Sequence, residues 1–309
     1  AYLSWRFVEQ PFRQKQKIKR NLVFGAMSVV AALYVSFGLV GHFEQGLDDW
    51  AGRVTVKRQG DIGQLGFHKL IAEKYSLCTP KIFSDTALKW EGYIRCMQSI
   101  NDKKINIAII GDSHAEHLFV GLAEALPKKN VVFYIKDANP FVSTPDFKDI
   151  FRSVRENKDI SVVVLGAHWV NRILPLLADG KLEDELDETL GYLTASGKKV
   201  VLVGDVPLFW MDPGRCIYTL RWLPDIECVT DTSHVVEYEN QYTATLIKAG
   251  ERPNVEFIQL RNLLCNQKRC NMMRGDKILY RDNNHLNVSG SIYVGSKLVE
   301  QSAFLKSLD

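Results

Sequence analysis

Short apolar runs alternate with helical patterns along the chain after Lys104. The runs are nearly continuous in apolar residues, as strands buried on both faces of a sheet are. They cover Ile105–Ile110, Val131–Ile135, Ile160–Leu165, Val200–Val203 and Val255–Ile258. The helical patterns cover Ala115–Leu126, Leu182–Ala195, His234–Lys248 and Val288–Leu305. This order predicts an α/β fold in which helices cover both faces of a central parallel sheet.

A glycine turn that carries a serine follows the first predicted strand. It reads Gly111-Asp112-Ser113, and a helical pattern begins directly after it. Parallel sheets gather their functional groups at the carboxyl ends of the strands. A serine at the start of a helix also has backbone N–H groups beside its hydroxyl, and these can stabilise an oxyanion. Ser113 is therefore a candidate nucleophile.

A second polar segment, near the far end of the chain, holds the partners that a serine nucleophile needs. Asp282 and His285 are three residues apart, so a single loop can present both. A hydroxyl is a poor nucleophile unless a base takes its proton, and a histidine oriented by a carboxylate is such a base. We predict an acyl-transfer site in which Ser113 attacks, His285 is the base and Asp282 orients His285.

The two segments resemble the first and last blocks of the SGNH (GDSL-like) hydrolase family, which read Gly-Asp-Ser and Asp-x-x-His. The resemblance implies a three-layer, flavodoxin-like SGNH hydrolase fold over residues 101–309, with the same catalytic roles. The family's Gly-x-Asn block corresponds here to Gly166-Ala167-His168. Beside the Ser113 amide, His168 or Asn171 is thus a candidate donor to an oxyanion hole. The alternative is that both are ordinary loop residues.

The first residues of the chain resemble a different family. Ala1–Arg13 contains Ser-Trp followed by Glu-Gln-Pro-Phe-Arg. This phrase is similar to the end of the last core helix of the integral-membrane acyltransferase-3 family. The resemblance implies that residues 1–13 end such a membrane domain, and that the chain is the C-terminal portion of a longer membrane protein.

A long apolar run follows a basic cluster. Arg13–Arg20 has five basic residues and no acid, and Asn21–Gly41 has no charged residue. At about 1.5 Å per residue, such a run covers roughly 30 Å, the thickness of a bilayer's hydrocarbon core. We predict a transmembrane helix over 21–43; a buried helix of a soluble domain is the alternative, since a cleavable signal peptide would be shorter. The basic segment 14–20 is then cytoplasmic.

This orientation places the remainder of the chain outside the inner membrane, in the periplasm of a Gram-negative bacterium. Residues 44–100 lack the strand–helix alternation. We therefore predict that they form a periplasmic extension that links the transmembrane helix to the SGNH catalytic domain.

All the cysteines follow the apolar run, and an even set confined to an exported part indicates disulfides. Pairing neighbours predicts Cys78–Cys96, Cys216–Cys228 and Cys265–Cys270, although other pairings are possible. Zinc is the competing interpretation of such a set. The sequence has no Cys-x-x-Cys pair, so we expect no metal site.

Several other residues allow two interpretations. Asp112 is predicted to be a turn and hydrogen-bonding residue rather than a catalytic acid. His114 and His117 are predicted to face solvent or to support the site, rather than to act as bases. Trp210 and Trp222 lie in a long loop. We expect each of them to fill the core, and stacking on a sugar ring is the alternative.

An SGNH domain joined to an acyltransferase-3 domain resembles the proteins that O-acetylate bacterial surface glycans, the lipopolysaccharide O-antigen acetyltransferases in particular. The resemblance implies that the membrane domain takes acetyl from cytoplasmic acetyl-CoA, and that Ser113 and His285 pass it to a sugar hydroxyl. The expected partners are that membrane domain, the glycan and the inner membrane, and this segment itself is expected to bind no cofactor. The alternatives are a carbohydrate acetylesterase and a non-catalytic glycan-positioning module.

Charge gives no sign of a nucleic-acid partner. The net charge is only +3 over 309 residues, whereas nucleic-acid-binding domains carry a basic patch or stripe. The basic cluster before the apolar run is explained by membrane topology instead.

Overall fold

The computed structural model describes residues 20–43, 53–55, 63–101, 103–172, 181–220 and 226–308, and near the start residues 2, 5, 6 and 10. Most of the predicted acyltransferase-3 end (1–13), nearly all of the basic segment 14–20 and Trp222 lie outside the described residues. The chain divides into two units. One contains residues 1–54 and 220–223, and the other contains the remainder.

Helix α1 spans Arg20–Phe43 in the first unit. Large apolar side chains such as Phe24, Leu33 and Phe37 are exposed around it. Phe24–Phe43 is long and apolar enough to cross a membrane. A helix that is apolar on all sides is typical of a buried or membrane-spanning position, and the bounds of α1 match the predicted transmembrane segment 21–43.

A seven-stranded sheet forms the centre of the second unit. Its strands are β1 (Ser76–Leu77), β2 (Met97–Gln98), β3 (Ile105–Gly111), β4 (Asn130–Ile135), β5 (Val162–Gly166), β6 (Lys199–Val203) and β7 (Val255–Ile258). They lie in the order β7-β6-β5-β3-β4-β2-β1. Strands β3 to β7 are parallel, whereas β2 runs antiparallel to both β4 and β1. The parallel order is flavodoxin-like, so the predicted fold is confirmed.

Alternate residues of the strands face two separate cores, because successive side chains of a strand point to opposite faces. In β3, Ile107 and Ile109 belong to one core and Ala108 and Ile110 to the other. All four are buried. This is why the strand segments are apolar throughout.

Helices lie between the strands along the chain and contribute buried residues to both cores. The helices after α1 are α2 (Gln64–Lys74), α3 (Lys81–Asp85), α4 (Ser113–Glu116), α5 (Phe119–Ala125), α6 (Pro145–Glu156), α7 (Trp169–Arg172), α8 (Lys181–Thr194), α9 (Gly214–Ile217), α10 (Thr232–Gly250), α11 (Arg261–Leu264), α12 (Val288–Gln301) and α13 (Ala303–Lys306). Buried residues of α2, α5 and α12 belong to the core that contains Ile107. Those of α6 and α8, with the second half of α10, belong to the core that contains Ala108.

Helices α5 and α12 touch through glycines. A Cβ on Gly121 would lie 1.8 Å from the carbonyl oxygen of Ser291, and one on Gly295 would lie 2.4 Å from the carbonyl carbon of Gly121. The Gly121 N–H also donates to Ser291 Oγ at 2.9 Å. Because α12 follows directly on the segment of Asp282 and His285, this close contact fixes where that segment lies.

Two strands at one edge of the sheet come from residues before the predicted domain boundary at residue 101. Strands β1 and β2 come from the predicted extension 44–100, and the Cys78–Cys96 disulfide joins the chain beside them. Each strand has only two residues, which is too short to show a period of two in the sequence. Part of the predicted extension therefore belongs to the sheet.

The remaining strands are short. Antiparallel pairs join Lys89–Trp90 to Tyr93–Ile94, Val229–Asp231 to Arg269–Asn271 and Met273–Arg274 to Lys277–Ile278, and further strands lie at Arg53–Thr55 and Tyr218–Leu220. The other two disulfides are Cys216–Cys228 and Cys265–Cys270. The three bridges are those that pairing neighbours predicts.

Candidate active site

The candidate nucleophile lies where β3 turns into α4. A Cβ on Gly111 would lie 1.8 Å from the carbonyl oxygen of Gly166 at the end of β5, so only glycine fits at this turn. Asp112 caps α4, and its carboxylate accepts the N–H of His114 at 2.8 Å. Ser113 is thus the first residue of α4, at the carboxyl edge of the sheet.

The segment after Tyr280 brings the other two predicted catalytic residues to this serine. His285 Nε2 lies 2.8 Å from Ser113 Oγ, and His285 Nδ1 lies 2.8 Å from Asp282 Oδ2. The backbone N–H groups of Asn284 and His285 donate to Asp282 Oδ1 at 2.9 and 2.7 Å. The three side chains therefore form one hydrogen-bonded chain, with the carboxylate held by its own loop.

Burial and hydrogen bonding set the charges of this chain. Burial lowers the pKa of His285 to about 4, and its hydrogen bond to Asp282 offsets only part of that effect. Burial also opposes the charge on Asp282, but hydrogen bonds from the His285 ring and two backbone N–H groups lower the pKa of Asp282 below its ordinary value. At neutral pH the imidazole is neutral and the carboxylate is ionised, which is the state that a base and its orienting partner need.

The lowered pKa of His285 predicts an unusual acid limb. Protonated His285 cannot accept the Ser113 proton, so we expect hydrolysis of p-nitrophenyl acetate by the purified chain to fall with a midpoint near pH 4 rather than 6.5. Circular dichroism at each pH would separate this titration from acid unfolding. A midpoint near 6.5 with the fold intact would contradict the prediction.

Asp112 joins two loops at the edge of the sheet. Besides the N–H of His114, it accepts the backbone N–H of His168 at 3.0 Å and Arg172 Nε at 3.2 Å. The side chain is buried. Its predicted role as a turn and hydrogen-bonding residue agrees with these contacts.

The structure places His168, a predicted oxyanion-hole residue, beside the triad. Its ring stacks on His114 with centroids 4.0 Å apart, and the His114 ring lies 4.7 Å from that of His285. Burial has the largest effect on the pKa of His168 and the nearby His114 the next largest; together they lower it to about 4. Asn171, the second candidate, is exposed and its amide nitrogen lies 3.1 Å from His168 Nδ1. An amide nitrogen can only donate, so Nδ1 accepts and Nε2 of His168 carries the proton, as an oxyanion donor requires.

His114 and His117 are both buried, so the expectation that they face solvent is wrong and a supporting role remains. The pKa of His117 is lowered well below its ordinary value by burial and by His114. Their ring centroids lie 5.3 Å apart, and those of His114 and His117 lie 4.7 and 6.2 Å from that of His285. Among the residues that the structure describes, no group of histidine, cysteine and acidic side chains could hold a metal ion.

A family model described as an SGNH domain (fused to AT3 domains) matches residues 83–300, which is more than half of the chain. This chain belongs to that family. The match covers the Gly-Asp-Ser and Asp-x-x-His segments, so the resemblance given by those motifs is confirmed. It also begins before residue 101, in the part of the chain that supplies β2.

Two solved structures are similar to this chain, and the first of them shows the same fold. One is the periplasmic domain of a lipopolysaccharide acetyltransferase from Salmonella ser. Paratyphi A, 19% identical, with a TM-score of 0.56 over 76% of this chain and 95% of that one. The other is a carbohydrate acetylesterase from Sinorhizobium meliloti, 12% identical, with a TM-score of 0.38 over 64% of this chain and 98% of that one. No curated protein sequence matches the chain.

A buried ion pair of the SGNH domain includes Glu116, the last residue of the helix that begins at Ser113. Arg95 donates two hydrogen bonds to the Glu116 carboxylate, one of them 3.0 Å long, and His68 Nδ1 lies 3.7 Å from the same carboxylate. Glu116 is 1% exposed. Sequence reasoning missed this pair, because a glutamate three residues after Ser113 looks like any solvated helix residue.

The start of α2 also contacts the catalytic loop. Gln64 donates from Nε2 to Asp282 Oδ2, and the N–H of Gly63 donates to the carbonyl oxygen of Arg281 at 2.7 Å. These residues precede the nucleophile by about fifty positions and belong to the predicted extension. No motif in the sequence marks them, so only the structure places Gln64 in the site.

Proposed function

We propose that this chain is the outward-facing part of an O-acetyltransferase that acetylates a bacterial surface glycan, with lipopolysaccharide O-antigen as the acceptor class. The observation that carries the proposal is the hydrogen-bonded chain Ser113–His285–Asp282 in a family described as fused to AT3 domains. The coarser statement, an acyl-transfer or esterase enzyme, already follows from the family and this geometry.

The proposed reaction has two halves, and His285 takes up and returns one proton in each. Ser113 Oγ attacks the acetyl carbonyl carbon while His285 Nε2 takes the hydroxyl proton, and the donor leaves with that proton as the tetrahedral intermediate collapses. A sugar hydroxyl then attacks the acetyl-serine and gives its proton to His285. Collapse of this second intermediate breaks the ester bond to Ser113, and His285 returns the proton to Oγ. The product is the acetylated sugar and free enzyme.

Oxyanions form in both steps of this mechanism. The Ser113 amide is one proposed donor, and His168 Nε2–H is the second, because Asn171 holds the other ring nitrogen. A preorganised donor of this kind contributes about 3–4 kcal/mol of transition-state stabilisation. Asn171 then acts through His168 rather than on the substrate.

The membrane arrangement supports transfer rather than hydrolysis. We propose that α1 spans the inner membrane, with the basic segment in the cytoplasm and the SGNH domain in the periplasm. An acyltransferase-3 domain of the same protein would take acetyl from acetyl-CoA and supply it at the outer face. The similar structure from Salmonella ser. Paratyphi A is a periplasmic domain, in line with this arrangement. A hydrolase needs no domain that handles a donor.

The test is made in cells that carry the acyltransferase-3 domain with this chain and produce the glycan. O-acetyl groups are quantified by mass spectrometry for the wild type, for Ser113→Ala and for the exposed control Ser143→Ala, at equal protein levels. We expect Ser113→Ala to reduce acetylation to background and Ser143→Ala to leave it unchanged. Unchanged acetylation in Ser113→Ala would leave a glycan-positioning module, and increased acetylation would indicate an esterase.

A further inference from the structure

A groove leads away from the triad between the β6–α9 loop and α10. Its inner end is lined by His168, Asp205 and Asn284, the residue before the catalytic histidine. Its outer end is a cavity of about 490 Å³, within the range of roughly 300–1,000 Å³ typical of ligand sites. Leu208 and Tyr238 line both ends, so the outer cavity adjoins the inner end, which itself holds only about 10 Å³.

Two aromatic side chains stand exposed along this groove. Trp210 is 67% exposed and Tyr238 is 53% exposed, and both line the outer cavity. The expectation that Trp210 fills the core is therefore wrong. Leaving large aromatic rings in water forgoes the burial that would stabilise the fold, and an exposed apolar patch of this kind marks an interaction site.

The chain holds Trp210 at a fixed place beside the triad. The preceding residue, Phe209, donates its N–H to the carbonyl oxygen of Asn283 at 2.9 Å. The Phe209 ring packs edge-on against Tyr280 with centroids 4.9 Å apart, and both rings are buried. The backbone that carries Trp210 is thus attached to the loop that carries Asp282 and His285.

The helix that carries Tyr238 is anchored on the opposite side of the groove. It lies on α10 between Val235 and Tyr242, both buried, and Tyr242 Oη accepts the N–H of Asp205 at 3.3 Å. Its neighbours on the exposed face, His234 and Gln241, also line the outer cavity. Two exposed aromatic rings on anchored backbone are therefore accompanied by side chains that donate and accept hydrogen bonds.

This combination fits a carbohydrate. A sugar ring presents C–H groups on its faces, which pack on aromatic rings, and hydroxyls around its edge, which hydrogen-bond to polar side chains. We propose that Trp210 and Tyr238 form an acceptor subsite, which binds a sugar of the glycan chain beside the sugar that is acetylated at Ser113. The assignment of an acetyl acceptor rests on the proposed function, whereas the binding of a glycan in the groove does not.

The test measures binding without turnover. The chain with Ser113→Ala, in detergent, is titrated by calorimetry with delipidated surface polysaccharide from the bacterium that encodes it. We expect added Trp210→Ala or Tyr238→Ala to weaken binding about tenfold. Trp210→Phe, which keeps an aromatic face, should retain most of the affinity. The matched control is Trp90→Ala, a partly exposed tryptophan outside the groove, which should not change it.

The binding results test the proposed subsite independently of the catalytic role of Ser113. Absence of polysaccharide binding by the parent chain, or equal affinity in the parent, Trp210→Ala and Tyr238→Ala chains, would overturn the subsite. Loss that is as large in Trp90→Ala would also overturn it, since the effect would then be unspecific. If binding depends on Trp210 while Ser113→Ala leaves acetylation unchanged in cells, the subsite stands and the transferase mechanism fails.

Discussion

Replacing Asp282 with asparagine is expected to lower the rate of acyl transfer by about 10⁴-fold. The carboxylate accepts the His285 Nδ1 proton through Oδ2 and two backbone N–H groups through Oδ1. An asparagine must turn its NH₂ group toward one of these donors. If the NH₂ faces Nδ1, the imidazole carries its proton on Nε2 and cannot accept the proton of Ser113. If it faces the backbone, the loop loses its two hydrogen bonds.

The rate is measured by p-nitrophenyl acetate hydrolysis and by glycan acetylation, with circular dichroism to verify folding. Gln64→Ala is the matched control, because it removes one hydrogen bond to the same carboxylate and keeps the charge. This hydrogen bond is already present in the free protein, so it affects the rate only as far as it strengthens in the transition state. The control should therefore lose much less activity than Asp282→Asn. A folded Asp282→Asn chain within tenfold of the wild type would show that Asp282 does not orient the base.

The triad could be predicted because its chemistry is local in the sequence. Gly111-Asp112-Ser113 follows a strand that four apolar residues in succession (Ile107–Ile110) identify, and Asp282 and His285 lie within one loop. The residues that support the triad come from distant segments. Gln64 contacts Asp282, and Arg95 contacts Glu116, across long separations in the chain. A single sequence contains no signal for such pairings.

Other differences have identifiable causes. Helix α6 is absent from the predicted helices, although the sequence contains its signal: Phe147, Ile150, Phe151 and Val154 recur at helical spacing, and all are buried. Trp210 was expected in the core because tryptophan is usually buried. Its exposure depends on where the loop attaches to the catalytic segment through Phe209 and Asn283, a tertiary contact that composition cannot indicate.

Removing the carboxylate of Glu116 is expected to destabilise the SGNH domain by about 3–5 kcal/mol. The side chain is 1% exposed and holds Arg95, which is 13% exposed, in a two-point contact. Glu116→Ala leaves that largely buried guanidinium without the carboxylate to which it donates. Burial opposes the charge of Glu116, but hydrogen bonds from Arg95 lower the pKa of Glu116 below 4.5. The stabilisation is therefore present above pH 4.5 and is lost as the pH falls further.

Urea unfolding of the purified chain, followed by circular dichroism, measures this loss. Lys104→Ala is the control, since Lys104 and Asp159 form an exposed pair that should contribute less than about 1 kcal/mol. The double variant Glu116→Leu, Arg95→Met removes both charges and should recover most of the stability. Equal losses of stability for Glu116→Ala and Lys104→Ala would contradict the expected contribution of the buried pair.

Because Glu116 follows Ser113 by one helical turn, acyl transfer should fall with stability in Glu116→Ala and return in the double variant. Recovery of stability without activity would instead mean that Arg95 and Glu116 position the nucleophile helix through their charges.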